Sequence, residues 1–287
     1  MNVASTLQVD VYVSPAIPAT TGSQDPTKQW WSPVSCTLIQ GPTSAVLVNT
    51  PISISQAEDL ADWVKKTTPG KKLEYIYTTH AHGDHYLGHP ILLKKFPSAT
   101  CVTTSAFANE IKATLATAIP KWNGWFPNGQ IVTDDQVIPR SLPANGEFSI
   151  DGCKLHGVDI VHSDTHASSF LHVPDLELVV AGDIVYGDCY QFLAEASTAE
   201  KRKSWLDALD QIAALKPSIV VPGHKRASQV DGPYLIDSTR EYILAFEEEL
   251  NQLRDANLVE DARTKRYPQR WNRFILESSC KSSVAAL

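Results

Sequence analysis

The chain has 287 residues, with 25 Lys and Arg against 32 Asp and Glu and a formal net charge of -7. Hydrophobic residues make up 43% and charged residues 20%, a globular balance that excludes disorder, collagen and coiled coil. The acidic balance argues against a nucleic-acid binder, because phosphate neutralisation needs a basic face and the sequence has no run of Lys and Arg. Small molecules remain as the expected ligands.

The sequence carries no signal for secretion or membrane insertion. Residues 1–10 lack a basic segment followed by an apolar one, and no stretch reaches the roughly 18 apolar residues of a membrane span. The five cysteines are odd in number and show no CxxC spacing, which is typical of free thiols in a reducing compartment. We therefore expect a soluble cytoplasmic protein without membrane partners, either a monomer or a homodimer.

The first half of the chain is predicted to alternate between strands and helices. Strict alternation of apolar and polar residues predicts a strand over 7–13, and a Pro-, Thr- and Gly-rich loop follows it. Periodicity stops over 120–129 (PKWNGWFPNG), where we expect a loop. The other predicted strands of this half are 36–39, 45–49, 73–79 and 100–103. The predicted helices are one that opens within 51–55 and ends at Pro69-Gly70, then 86–96 and 105–119.

The second half is also rich in predicted strands, and a long amphipathic helix is predicted over 234–256. The predicted strands are 147–150, 153–161, 169–173, 178–181 and 218–221, with a helix over 198–215. Two β-rich halves, each with helices, predict an α/β fold in which two sheets face one another with helices outside. We expect a single domain over 1–287, with a C-terminal helix and tail from about 231 to 287.

The sharpest signal is the segment THAHGDH, residues 79–85, at the end of a predicted buried strand. It places four candidate metal ligands, three histidines and one aspartate, within six residues. Gly83 is expected to let the loop fold back so that the four side chains converge. Imidazole and carboxylate ligands at this density suit zinc or a similar divalent ion. A polar turn that contains these histidines by chance is the alternative.

The HxHxDH pattern after a strand resembles the metallo-β-lactamase superfamily. That resemblance implies an αββα four-layer sandwich of two mixed sheets flanked by helices, holding one or two metals between the sheets. The family then expects a lone His, a lone Asp and a final His, each after its own strand. The sequence offers His162 in VHSDTHASS, Asp183 in VVAGD and His224 in VPGHK.

The resemblance implies a dinuclear metal site. The first metal would be held by His80, His82 and His162 and the second by Asp84, His85 and His224, with Asp183 bridging both. Two Zn²⁺ ions are expected, with Mn²⁺ or Fe²⁺ as alternatives, since all seven ligands are His or Asp.

The third motif departs from the family pattern. Val161 stands before His162, where the family usually has Gly, and His166 is a rival for the ligand role. We prefer His162 because Ser163 follows it, much as Thr follows His in the usual GHT motif.

Such a site is suited to hydrolysis. Two divalent ions about 3.5–4 Å apart can share a hydroxide that attacks a carbonyl carbon. Asp84 is the expected proton shuttle to the leaving group. By analogy with lactone-opening members of the superfamily, Tyr186 is expected to donate a hydrogen bond to the substrate carbonyl; a tyrosine packed beside the site is the alternative.

Other stretches, among them WWSPVSCTLIQG, VVAGDIVYGD and KPSIVVPGHKR, resemble fungal γ-lactamases that open benzoxazolinones. This resemblance implies a small cyclic amide or carbamate as substrate and a role in xenobiotic detoxification. A lactonase or thioesterase on the same site is the alternative enzyme, and a metal-binding module without catalysis is the alternative outside enzymes.

Aromatic residues are the candidate walls of the substrate pocket. Trp122, Trp125 and Phe126 lie in the segment predicted as a loop, and Tyr190 follows Asp183 closely. Their rings would stack on a planar substrate. Anchoring of the loop onto the core is the alternative.

Overall fold

A computed structural model describes residues 6–287; residues 1–5, part of the N-terminal stretch discussed above, lie outside the described residues. The strands are β1 (Gln8–Ser14), β2 (Ile17–Pro18), β3 (Trp30–Trp31), β4 (Val34–Gln40), β5 (Ser44–Val48), β6 (Lys72–Tyr77), β7 (Thr100–Thr103), β8 (Arg140–Ser141), β9 (Glu147–Ile150), β10 (Cys153–His162), β11 (His166–Val173), β12 (Leu178–Tyr186) and β13 (Ile219–His224).

Helices join and flank these strands. They are α1 (Ile54–Thr67), α2 (His89–Lys95), α3 (Ser105–Trp125), α4 (Ala199–Ala214), α5 (Tyr234–Leu253), α6 (Ala256–Arg266) and α7 (Arg273–Ala285). Ser53 caps α1 by accepting a hydrogen bond from Gln56 N, while the Gln56 side chain reaches back to the Ser53 amide. Within residues 6–287, no helix is long and apolar enough to cross a membrane.

The strands form two main sheets. The first has six strands in the order β1-β4-β5-β6-β7-β8, and the second has five in the order β13-β12-β11-β10-β9. Both are mixed: β1, β4 and β5 pair antiparallel and β5 to β8 parallel, whereas in the second sheet only the β12–β13 pair is parallel.

Strand alternation explains the layers of the first sheet. Along β5, Ala45 and Leu47 pack on one face in a cluster with residues of α1 and α2. Val46 and Val48 face the opposite way and pack between the two sheets. Because successive side chains of a strand point to opposite faces, a run of apolar residues serves two cores at once.

The second sheet repeats this arrangement. Leu178 and Val180 of β12 join the core between the sheets, whereas Val179 and Ala181 pack with residues of α4 and α5 on the outer face. The order of layers is therefore helix, sheet, sheet, helix. This confirms the predicted αββα sandwich with two mixed sheets.

Helix α3 differs from the sequence prediction. A loop was expected from Pro120, but the helix continues to Trp125 with Pro120 inside it. Proline removes one backbone hydrogen bond, and burial compensates: Trp122 and Phe126 are 5% and 0% exposed and pack against Trp31. The aromatic residues predicted to lie on a loop are thus fixed at the end of a helix.

The C-terminal segment also differs from the prediction. The helix expected to run to 256 ends at Leu253, because Arg254 is left-handed (φ 50°) and Asp255 begins α6 as its N-cap. In α6, the buried Arg263 stacks on the Tyr242 ring, with its guanidinium carbon 3.9 Å from the ring centroid. The segment predicted as a tail therefore contains two further helices, α6 and α7, which pack against each other.

His89 is expected to make folding pH-dependent. Burial lowers its pKa to about 3, whereas the unfolded residue titrates near 6.5. Its stabilising contribution is fully present above about pH 6.5 and is lost as the pH falls toward 3. At about 1.4 kcal/mol per pH unit, the loss between pH 6.5 and pH 5 is about 2 kcal/mol.

Urea unfolding of the chelator-treated protein at pH 7 and pH 5 measures this loss. His89→Gln should have a smaller difference between the two pH values than the wild type, and the exposed His166→Gln serves as control. Equal differences in all three proteins would exclude a role for His89.

Candidate active site

The predicted ligands meet where strands of the two sheets end at one edge. The loop 78–85 follows β6, and Ser163, Asp164 and Thr165 form the turn between β10 and β11. Asp183 lies in β12 and His224 ends β13. The segments that carry candidate ligands therefore converge from four strands.

The first ligand cluster combines His80, His82, Asp164 and Asp183. The Asp164 Oδ2 atom lies 3.0 Å from His82 Nδ1 and 3.7 Å from His80 Nε2. Asp183 Oδ2 lies 3.9 Å from His80 Nε2. Three of the four side chains are buried, and that of His82 is 17% exposed.

The second cluster combines Asp84, His85 and His224, and Asp183 lies against it. His85 Nε2 is 3.8 Å from Asp84 Oδ2 and 3.3 Å from Asp183 Oδ1. His224 Nε2 is 3.5 Å from Asp84 Oδ2 and 3.1 Å from Asp183 Oδ2. The Asp183 carboxylate thus faces both clusters, as expected of a bridging ligand.

These separations fit divalent metals. Ligand bonds of 2.0–2.1 Å in a tetrahedral site put neighbouring donor atoms about 3.3 Å apart. Several buried donor atoms have no hydrogen-bond partner among the described residues: His80 Nε2, His85 Nε2 and Asp183 Oδ1. Buried polar atoms without partners are costly, so their convergence indicates a site for bound cations.

The ligand histidines differ in protonation. Burial lowers the pKa of His82, but Asp164 and Glu195 outweigh it and raise the pKa well above its usual value. Burial lowers the pKa of His80 well below its usual value, which leaves the neutral imidazole that binds metals.

Burial lowers the pKa of His224, but Asp183 and Asp84 outweigh it and raise the value to about 9. For Asp183 burial acts in the opposite direction and raises the pKa. The His224 charge outweighs burial and holds the pKa of Asp183 well below its usual value. A metal held by the two clusters would have to displace the protons on His82 and His224.

Hydrogen bonds fix which histidine nitrogen faces the metals. The Thr79 hydroxyl donates to Asn49 Oδ1 at 3.2 Å, so its oxygen accepts from His80 Nδ1 at 3.0 Å and leaves Nε2 free. His224 Nδ1 donates to the Pro33 carbonyl at 2.8 Å, again leaving Nε2 free. Such partners orient ligands and raise their basicity.

Two aromatic side chains hold the carboxylates. Trp31 Nε1 donates to Asp84 Oδ2 at 2.8 Å, and the Tyr186 hydroxyl donates to Asp183 Oδ2 at 2.6 Å. Burial and the Asp183 charge raise the pKa of Tyr186 well above its usual value, so its hydroxyl keeps the proton that it donates. Tyr186 was predicted to donate to a substrate carbonyl; in the structure its hydroxyl donates to Asp183.

The third motif differs from the sequence prediction. Six of the seven predicted ligands lie in the two clusters, but His162 does not. Its Nε2 atom is 3.2 Å from the Glu195 carbonyl oxygen. The rival His166 points outward, 60% exposed, and pairs with Glu110 at 3.1 Å.

Asp164 takes the place that was expected for a histidine. It lies at the tip of the turn between His162 and His166, which are paired across β10 and β11. The sequence held a signal for it: Thr165 follows Asp164 directly, as Thr follows His in the GHT motif. A pattern that admits only histidine at this position misses the match.

Gly83 is required for space in the ligand loop. A Cβ atom there would lie 2.6 Å from Trp122 Nε1 and 2.7 Å from Leu87 Cδ1. The loop was expected to need glycine in order to fold back. The structure instead shows that glycine lets the loop pack against the Trp122 indole.

An open cavity leads to the ligands. Of the four aromatic residues proposed as substrate contacts, Trp122, Trp125 and Tyr190 line it, whereas Phe126 is fully buried and stacks behind Trp122. The Tyr190 hydroxyl donates to the Tyr267 carbonyl, so the ring body contributes to the wall. Trp31 and Phe192, two further aromatic candidates of the sequence, also line the cavity. The lining residues that the sequence did not indicate are Ser32, Lys121, Asn272 and Ile275.

Replacing Trp31 by phenylalanine should weaken metal binding at the second cluster. Phe keeps most of the ring that stacks on Trp125 but removes the N–H that holds Asp84. Loss of such a partner costs about 10- to 100-fold in metal affinity. Competition with a chelating dye measures the metal affinity. Trp30→Phe is the matched control, because Trp30 is 38% exposed and its ring contacts Trp271 instead of a ligand. Equal metal affinities in Trp31→Phe and Trp30→Phe would contradict the proposed role of the Trp31 indole.

Comparison with known families gives a match that covers most of the chain. The profile described as the Metallo-beta-lactamase superfamily matches residues 30–224. That range contains both ligand clusters and ends at His224. No curated protein is similar enough in sequence to match the chain.

Solved structures share the fold at low sequence identity. A metallo-beta-lactamase family protein from Thermus thermophilus superposes with a TM-score of 0.63 at 19% identity, covering 96% of this chain and 92% of that one. A metallo-beta-lactamase from Pontibacter korlensis gives 0.58 at 17% identity, covering 85% and 97%. FIM-1 from Pseudomonas aeruginosa, in a mono-zinc form, gives 0.56 at 13% identity, covering 84% and 92%.

Proposed function

The chain belongs to the metallo-β-lactamase superfamily, and on this premise we propose that it is a metal-dependent hydrolase that opens a small cyclic amide or carbamate, such as a γ-lactam or benzoxazolinone. One observation carries the proposal. Unpartnered, buried His and Asp atoms converge in two clusters that share Asp183, at the foot of a cavity with aromatic walls.

The proposed ligands are the two clusters as the structure groups them. His80, His82 and Asp164 would hold one ion and Asp84, His85 and His224 the other, with Asp183 shared. Bound divalent ions supply water that is activated at neutral pH and polarise a carbonyl oxygen. Zinc, present in the mono-zinc form of the structurally similar FIM-1, is the first candidate, and Mn²⁺ and Fe²⁺ are the alternatives.

Asp84 is the proposed proton carrier. It lines the cavity and its Oδ2 atom accepts the Trp31 N–H, which fixes the carboxylate between the ligands and the substrate space. A carboxylate in that position can take a proton and deliver it to the leaving nitrogen of the opened ring. Tyr186 holds the shared Asp183 carboxylate in place.

The cavity walls support a flat, mainly apolar substrate. Trp31 and Trp125 stack with centroids 5.3 Å apart, and Phe192 lines the cavity beside His82. Rigid aromatic faces favour a planar ring and exclude water from the reacting bond. The Lys121 ammonium lies 5.2 Å from the Trp125 ring centroid and adds a positive charge to the lining.

Detoxification of a foreign compound in the cytoplasm is the proposed role. Fused carbamate rings of this type must be recognised by shape and stacking, which the aromatic walls provide. All five cysteines are free, and four of them are buried, which suits a reducing compartment.

Ring opening of 2-benzoxazolinone by the purified, metal-loaded protein, followed by ultraviolet absorbance, tests the proposal. We expect turnover that a chelator abolishes and added metal restores. A γ-lactone and a thioester are assayed in parallel. Turnover of these alone would support the lactonase or thioesterase alternative, and no turnover of any of them with metal bound would contradict the proposed hydrolase.

A further inference from the structure

The two ligand clusters have matched compositions. The first has two imidazoles and its own carboxylate, Asp164, and the second has two imidazoles and its own carboxylate, Asp84. Asp183 faces both, with Oδ2 3.9 Å from His80 Nε2 and Oδ1 3.3 Å from His85 Nε2. The family pattern predicted three imidazoles in the first cluster. Asp164 is therefore this chain's departure from that pattern.

Asp164 is placed as a ligand. Its side chain is completely buried. Its Oδ1 atom accepts a hydrogen bond from the Ser163 hydroxyl at 2.8 Å, which fixes the carboxylate plane. Its Oδ2 atom lies between two imidazoles, 3.0 Å from His82 Nδ1 and 3.7 Å from His80 Nε2. A buried carboxylate oxygen that converges with two imidazole nitrogens is arranged as a ligand of a shared cation.

The backbone holds this carboxylate in position. The turn closes through a hydrogen bond from Ser163 N to the Thr165 carbonyl at 3.0 Å. The Thr165 hydroxyl in turn donates to Glu195 Oε2 at 2.6 Å. His162 cannot replace Asp164 without breaking its own contact with the Glu195 carbonyl. The oxygen donor is thus built into the turn.

The exchange of an imidazole nitrogen for a carboxylate oxygen alters metal preference. Zinc is bound mainly by nitrogen and sulfur donors in four-coordinate sites. Manganese favours oxygen ligands, and two histidines with one carboxylate are the common donor set of non-haem Fe²⁺. His80, His82 and Asp164 form such a set, and Asp183 adds a second carboxylate.

We propose that Asp164 sets the metal preference of the first cluster, moving it away from zinc and toward Mn²⁺ or Fe²⁺. The inference rests on the proposed dinuclear site and concerns which ions that site selects. It predicts that the ratio of zinc affinity to manganese affinity is at least about tenfold smaller in the wild type than in Asp164→His.

Equilibrium dialysis against Mn²⁺ and Zn²⁺, with metal analysis of the protein, gives the ratio without an activity assay. The wild type is compared with Asp164→His, Asp164→Glu and the control His162→Ala. The Glu variant, which keeps the carboxylate, and the control should both stay near the wild-type ratio. Anaerobic dialysis with Fe²⁺ separates iron from manganese as the preferred ion.

The outcomes distinguish this inference from the proposed function. If the wild type binds two ions and the ratio is the same in the wild type, the Glu variant and the His variant, the metal-preference inference is overturned and the hydrolase proposal stands. If Asp164→His fails to fold, Asp164→Asn, which removes the charge, takes its place and must raise the ratio of zinc affinity to manganese affinity. An unchanged ratio in Asp164→Asn would also overturn the metal-preference inference. If the wild type binds no divalent ion, the proposed function itself fails.

Discussion

Replacing Asp164 by alanine is expected to reduce bound metal from two ions to one per chain and to lower turnover by at least about 100-fold. The variant removes the first cluster's own carboxylate and leaves His80 and His82 with only the shared Asp183. Loss of a side chain that only hydrogen-bonds a metal ligand lowers metal affinity or activity by about 10- to 100-fold, and loss of the ligand itself lowers them further. Metal analysis after gel filtration measures the stoichiometry.

His162→Ala is the matched control for this experiment. His162 lies two residues away in the same turn region, and its ring contacts the Glu195 carbonyl instead of the ligand clusters. We expect two ions per chain and turnover within a few-fold of the wild type. Loss of metal in His162→Ala, with retention in Asp164→Ala, would reverse the assignment of the third-motif ligand.

Replacing Asp84 by asparagine is expected to lower kcat by about 10²- to 10⁴-fold, the usual contribution of a group that carries a proton in the transition state. Asparagine keeps the shape of the side chain and can still accept the Trp31 N–H through its oxygen. It cannot carry a proton, so the leaving group would depart without one. The first cluster does not contain Asp84, so its ion should remain bound.

Steady-state kinetics and metal analysis on the same sample separate the two effects. Asp159→Asn makes the same chemical change at an exposed position of β10 and should leave both quantities unchanged. Full activity in Asp84→Asn would refute the proton-carrier role. Loss of both ions would mean that the carboxylate mainly supports metal binding.

Local sequence patterns predicted two facing sheets with helices outside, and the family resemblance implied the αββα sandwich. Runs such as 45–48 and 178–181 are apolar at every position because both faces of each strand are buried, and the structure places alternate residues in different cores. The dense HxHxDH loop was visible as a metal-binding pattern by itself, whereas Asp183 and His224 were implied by the family resemblance; the structure brings all of these residues together.

The differences arose where tertiary contacts override local signals. Pro120 predicts the end of a helix, yet burial of Trp122 against Trp31 and Gly83 carries α3 onward. Thr165 after Asp164 is the one local sign of the ligand position, and it does not show that the Asp164 carboxylate turns inward while His166 turns out. That choice depends on the hairpin register and on contacts with Glu195, which lies 30 residues from Thr165 along the chain.

The most direct test of the dinuclear site is an anomalous difference map from crystals of the protein grown with Zn²⁺ or Mn²⁺. We expect two peaks between the sheets: one bonded by His80, His82 and Asp164, the other by Asp84, His85 and His224, with the Asp183 carboxylate touching both. A peak bonded by His162 in place of Asp164, or no peak in a cavity that otherwise matches this structure, would contradict the account.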